Sequence, residues 1–192
     1  MSTEHAGLTL IGRGKYVELV DVDGWEFVRR HASSGVVVIV ATTDDGALVL
    51  VEQPRLPLRR HSIELPAGLV GDHAGSEGEP FEQAAARELE EETGFRASRW
   101  TKLLEAPSTP GLSSELTSFF RATGLERVGP GGGDATEDIV VHVVPLAEVP
   151  AFLARKMADG VAIDSKVFAG LYFIDGAWPP PPGAPPRADG VG

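Results

Sequence analysis

Cysteine is absent from all 192 residues. Disulfides, thiolate catalysis and cysteine-ligated zinc are thereby excluded. Cations are scarce as well, with 17 Lys and Arg against 28 Asp and Glu and a net charge of −11. A protein that tracks nucleic acid needs a cationic face to neutralise phosphates, and anionic lipid asks the same of a membrane-surface protein. Neither partner is expected. Long apolar runs are missing too, and none approaches the roughly 20 residues of a bilayer-spanning helix. The N-terminus shows neither the basic start nor the apolar core of a secretion signal. The expectation is a soluble, cytoplasmic protein.

What remains is globular in kind. Hydrophobic residues make up 42% and charged residues 23%, enough at this length for one core without covalent staples. Proline and glycine crowd the far end, Pro179 to Gly192, where no apolar periodicity survives. Residues 177–192 therefore read as an extended or disordered tail, behind a main domain at 35–176 and an N-terminal strand region at 1–34. No internal repeat is visible.

Within the main part, strand and helix patterns alternate. Short strands are expected at Leu8–Ile11, Tyr16–Val22 and Trp25–Arg30, with Asp23-Gly24 turning the last two. Val36–Thr42 is a β-branched run that returns through Asp45-Gly46 to Leu48–Glu52, and Ser62–Leu65 stops at Pro66. Pro80 and Gly94 bracket a helix, as start and stop residues do. Further strands are expected near Arg99–Glu105, Leu116–Ala122 and Ile139–Val144, and helices at Val149–Ala158 and Ser165–Phe173. The fold class is α/β, a mixed sheet with helices on its faces.

The bracketed helix carries the chemistry. Residues 77–92 hold seven carboxylates and one cation, Arg87, so −6 of the net charge sits in sixteen residues. At roughly 100° per residue, Glu88, Glu91 and Glu92 share an arc of about 100°, while Glu90 points away. Arg87 stands four residues before Glu91, within reach of its carboxylate. An acidic helix face is usually just solvated. Three converging carboxylates, however, are what a hard, oxygen-seeking cation such as magnesium or manganese requires.

The string Arg87-Glu-Leu-Glu-Glu-Glu-Thr-Gly-Phe95 resembles the core of the Nudix box, and Glu79 sits at the matching upstream spacing. The likeness runs over about residues 8–175 and implies the family's α/β/α sandwich. It implies that Glu88, Glu91 and Glu92 ligate divalent metal, with Glu92 and Arg87 belonging to the catalytic set, and that Arg87 orients the carboxylates. One departure stands out. The box glycine belongs six residues before Glu79, where this chain has His73. Gly68 of Pro66-Ala-Gly68 takes its place when five residues are inserted within 70–78.

Outside the box, Ala106-Pro-Ser-Thr-Pro-Gly-Leu-Ser-Ser-Glu115 resembles the loop of ADP-ribose pyrophosphatases. Pro110 has that subfamily's spacing from Gly94, and Glu115 matches a glutamate that positions or deprotonates the attacking water. Val51-Glu-Gln-Pro-Arg55 resembles the same subfamily's strand end, with Pro54 in place of an aromatic residue. Arg55, Arg59 and Arg60 form a basic patch suited to pyrophosphate, since a guanidinium fork bonds two oxygens at once. Ile63-Glu-Leu-Pro-Ala-Gly68 completes the likeness; it implies a metal oxygen from the Ala67 carbonyl and a ribose or second-metal contact from Glu64. Gly129–Asp134 is no phosphate loop, because no Gly-Lys-Ser/Thr follows it; it reads as a flexible excursion with Glu137 and Asp138 near the site entrance. Trp25 is expected in core or interface packing.

The resemblance implies magnesium-dependent cleavage of a nucleoside diphosphate derivative, ADP-ribose to AMP and ribose 5-phosphate. Another sugar nucleotide, of the ADP-glucose or GDP-mannose type, is the near alternative, and a non-catalytic ligand sensor the distant one. Relatives pair through N-terminal strands, so a homodimer is expected.

Overall fold

A Val/Ile run without polar alternation suits a strand buried on both faces, and residues 36–41 are used in that way. The computed structural model describes residues 7–31, 33–71, 78–133 and 137–174. In chain order they form β1 (Thr9–Arg13), β2 (Val17–Val22), β3 (Trp25–Arg30), β4 (Gly35–Ala41), β5 (Ala47–Arg55), β6 (Arg60–Glu64), β7 (Ala67–Val70), α1 (Phe81–Thr93), β8 (Phe95–Pro107), β9 (Leu116–Arg127), β10 (Val140–Pro145), α2 (Val149–Ala158), β11 (Ala162–Ile163) and α3 (Ser165–Ile174). Among these residues the strands make three sheets, ordered β1-β2-β3, β10-β5-β6-β11 and β7-β4-β9-β8.

β4 is the spine. It pairs antiparallel with β7 and parallel with β9, which makes its sheet mixed. Val37, Ile39 and Ala41 pack with Ala84, Ala85 and Leu89 of α1. Val38 and Val40 face the other way, into a second cluster with Leu153 of α2 and Val167 and Phe173 of α3. Helices on both faces of mixed sheets give the α/β/α sandwich.

Several elements exceed their expected bounds. β7 follows Pro66 directly, although Ala-Gly-Leu-Val carries little strand signal of its own; pairing with β4 supplies it. β5 continues through Pro54 to Arg55, opposite Arg60. β8 starts at Phe95, immediately after the left-handed Gly94 (φ 71°) ends α1. The two-residue β11 runs parallel to β6. Trp25 is 63% exposed, so the core does not use it.

The expected excursion after β9 is tied down instead. Val128 N–H donates to the Gly94 carbonyl at 2.8 Å, Gly132 N–H to Glu92 at 2.8 Å and Gly133 N–H to Glu91 at 3.0 Å. These amides satisfy carbonyls that the helix end leaves open. The Pro/Gly-rich tail and residues 72–77 of the inserted segment lie outside the described residues.

Leu89 is fully buried and anchors α1 on the sheet. Replacing Leu89 by Ala should cost about 2–5 kcal/mol, read as a lower urea midpoint with an unchanged slope. A cost below that range would mean that α1 is held by something other than this apolar face.

Candidate active site

Because Ala84, Ala85 and Leu89 seat α1 on the sheet, its final turns present the acidic residues in a fixed order. Glu92 points inward and is 2% exposed, Glu88 is half-sheltered, and Glu91 lies at the rim. Glu90 points away, as its helical angle requires, and pairs with Arg96 in solvent.

Arg87 binds the cluster together. Its Nη1 donates to Glu88 Oε1 at 2.8 Å and to Glu91 Oε2 at 3.1 Å. Its Nε reaches Glu79 Oε1 at 3.3 Å, and its Nη2 the Leu69 carbonyl at 3.1 Å. Burial works against this guanidinium, but the bonds to Glu79 and Glu88 outweigh it and raise its pKa above the ordinary arginine value. The cation is permanent.

Glu92 has a different environment. Its Oε2 accepts the Ala67 N–H at 3.0 Å. Burial pushes this carboxyl well above the usual carboxylate range; the Ala67 amide opposes the rise, and the charges of Glu88 and Glu137 add to it. Gly68 lies directly under Glu88, and a Cβ there would fall inside the Glu88 carboxylate. Glycine therefore lets β7 approach the acidic helix.

A cleft of about 420 Å³ opens over this cluster, and Arg55, Glu64, Glu88, Glu91, Glu115 and Lys166 are among the residues on its wall. Arg55 and Glu64 bond each other in a fork, Nε to Oε1 at 2.7 Å and Nη2 to Oε2 at 2.6 Å; that bond first, against burial, raises the Arg55 pKa. Lys166 is tethered to Asp164 two residues earlier. Arg30 of β3 holds Glu115, with Nε and Nη2 both 3.1 Å from Oε2.

Not every expected residue arrives there. The wall includes Arg55 but neither Arg59 nor Arg60, which sit exposed at the β5–β6 hairpin. Arg59 adopts a left-handed conformation (φ 52°) that closes the short turn after Leu58. Pro110 is exposed on the loop and does not line the cleft, although Glu115 does. The wall also holds residues that sequence reasoning passed over. Arg30 lies 85 positions from its partner Glu115, and no local pattern announces the pair. Lys166 had only its place in the first turn of a helix.

As the side chains stand, no three acidic or histidine residues among those described converge closely enough to cage an ion. The reason is Arg87, which draws Glu88 and Glu91 toward itself while Glu92 turns to Ala67. The donors remain all-oxygen and adjacent, a set that suits a hard divalent cation. Glu92, buried beside other carboxylates, is the group that such an ion would relieve.

Glutamine at position 92 would keep an oxygen for the Ala67 amide and remove the buried charge. In EDTA, the Glu92→Gln protein should melt at a higher temperature than the wild type. A lower melting point would mean that the carboxylate stabilises the metal-free fold.

The comparisons agree with this architecture. The NUDIX domain model matches residues 31–165. The chain is 40% identical over 141 residues to an ADP-ribose pyrophosphatase of Mycobacterium tuberculosis, spanning 73% of this chain but only 64% of that protein. It is 38% identical over 162 residues to an ADP-ribose pyrophosphatase of Bacillus subtilis, spanning 83% of each. A crystal structure of an ADP compounds hydrolase is similar with a TM-score of 0.61 and 25% identity, over 77% of this chain and 80% of that one. With well over half of its length matched and its acidic helix, Arg87 and Gly68 arranged as described, the chain belongs to the NUDIX family.

Proposed function

We propose that the protein hydrolyses the diphosphate of ADP-ribose to AMP and ribose 5-phosphate, using magnesium, with manganese as the other suitable ion. One observation carries this reading: carboxylates of α1 and Glu115 from a separate loop share one cleft with Arg55 and Lys166. The names of the two bacterial pyrophosphatases support the choice of ADP-ribose.

Glu88, Glu91 and Glu92, with the Ala67 carbonyl, would hold the metal. When bound, the ion neutralises diphosphate charge and lowers the pKa of water. The chain's own groups do the rest. Arg87 keeps the glutamates oriented through its bonds to Glu79, Glu88 and Glu91. Arg55 meets the pyrophosphate with a planar fork, and Glu64 sets the angle of that fork. Glu115 accepts a proton from the attacking water as the new P–O bond forms and the bridging P–O bond breaks. AMP leaves on one side and ribose 5-phosphate on the other. Net acidity does not bar an anionic substrate, because the cations face the cleft.

A sugar nucleotide other than ADP-ribose remains the second reading, favoured by Pro54 where the subfamily has an aromatic residue. With magnesium, a panel of ADP-ribose, ADP-glucose and GDP-mannose should give AMP fastest from ADP-ribose, EDTA should stop turnover, and Glu92→Gln should lower it by at least about 100-fold. Faster release from a sugar nucleotide would transfer the function to that substrate. Undiminished turnover in the Glu92→Gln protein would remove the metal mechanism, and binding without turnover in the wild type would leave a sensor.

We also propose a cytoplasmic homodimer formed through the N-terminal sheet. Leu10, Ile11, Tyr16, Val17, Leu19 and Trp25 are all exposed in this region, apolar side chains that pairing with a second copy would cover. Sedimentation at micromolar concentration should give twice the chain mass, and Leu10→Asp with Trp25→Asp should give one chain mass. A wild-type monomer would end this proposal.

A further inference from the structure

The N-terminal sheet touches the cleft at one point. β3 is an edge strand, and the loop before β9 lies along its open side: Val28 N–H donates to the Leu112 carbonyl at 2.8 Å, and Ser114 N–H to the Val28 carbonyl at 3.1 Å. Val28 and Ser113 thus form a parallel bridge. The loop also closes on itself, with Ser108 N–H bonding the Glu115 carbonyl at 3.1 Å and Glu115 N–H bonding Ser113 Oγ at 2.9 Å. Its backbone is set before any substrate arrives.

Arg30 lies two residues past Val28, on the same side of β3. Its Nε and Nη2 both lie 3.1 Å from one oxygen of Glu115, Oε2. Among the described residues no side chain or amide bonds the other oxygen, Oε1. The other cations on the cleft wall are engaged elsewhere, Arg55 with Glu64, Lys166 with Asp164 and Arg87 with the helix carboxylates. Glu115 therefore depends on Arg30 for its orientation.

We propose that Arg30 is a positioning residue. It fixes Glu115 by one oxygen, leaves the second to receive a proton, and makes the N-terminal sheet part of the machinery of turnover. The inference rests on the reading of Glu115 given above. A carboxylate freed from its guanidinium would sample several rotamers, and a displacement of about 1 Å can cost on the order of 100-fold in rate.

Steady-state kinetics with ADP-ribose and magnesium test this directly. Arg30→Gln should lower kcat at least 10-fold with KM changed less than about 3-fold, and Arg30→Lys should recover part of the loss. In a Glu115→Gln background, Arg30→Gln should lower kcat no further, because coupled residues are not additive. A raised KM at unchanged kcat would assign Arg30 to substrate contact and overturn the proposal, as would full additivity of the two substitutions. An unchanged kcat in Glu115→Gln alone would instead remove the reading of Glu115 itself. Should Arg30→Gln fail to fold, the kcat of Arg30→Lys and its additivity with Glu115→Gln decide the question.

Discussion

Arg87 is the group on which the acidic site depends. Four glutamates in the last turns of α1, with Glu79 just upstream, would repel one another, and carboxylates at a helix C-terminus also oppose its dipole. A guanidinium has five N–H donors in one plane, and here they reach Glu79, Glu88, Glu91 and the Leu69 carbonyl together. The last of these bonds joins the helix to β7, and β7 is paired with the central strand β4. Charge neutralisation and fold are thus the same set of contacts. The 128–133 segment acts from the other side, placing amides on the open carbonyls of Glu91 and Glu92.

Around that knot the protein divides its labour by layer. β4 is apolar on both faces, so it can carry α1 and its carboxylates on one side and the α2–α3 cluster on the other. The cations on the cleft wall come from different elements, among them Arg55 from the end of β5, Lys166 from the first turn of α3 and Arg30 from β3. Each is paired with its own carboxylate, which limits the entropy lost when a long side chain is ordered. A second paired cluster, Glu52 with Lys156 and His142, sits away from the cleft and ties β5 to β10 and α2. Burial disfavours the Glu52 carboxylate, yet those two partners hold it below its ordinary pKa. It is a structural clasp.

Much of this was legible from local pattern. The helix at 81–93 follows from its bracketing Pro80 and Gly94, and the outward direction of Glu90 from 100° steps. The stretch at Ala67–Val70 was not legible, because Ala67 and Gly68 carry little strand preference and pairing with β4 supplies it. Arg59 and Arg60 showed the limit of reading charge from adjacency. Together with Arg55 they look like one patch, but only Arg55 lies on the cleft wall, while Arg59 and Arg60 stay exposed at the hairpin. Gly129 to Gly133 misled in the opposite sense: glycine permits a loose loop, but it also permits close approach to a helix end, and the packing selects the second.

The sequence by itself determined the acidic helix, the spacing of its carboxylates and the arginine that neutralises them, since each rests on a period or a contact within a few residues. Only the tertiary structure decided which cations face the cleft, that Glu92 is buried against Ala67, and that Arg30 meets Glu115 across 85 positions. Those outcomes depend on strand pairing and layer packing, where a side chain's neighbours come from distant parts of the chain and no local period records them.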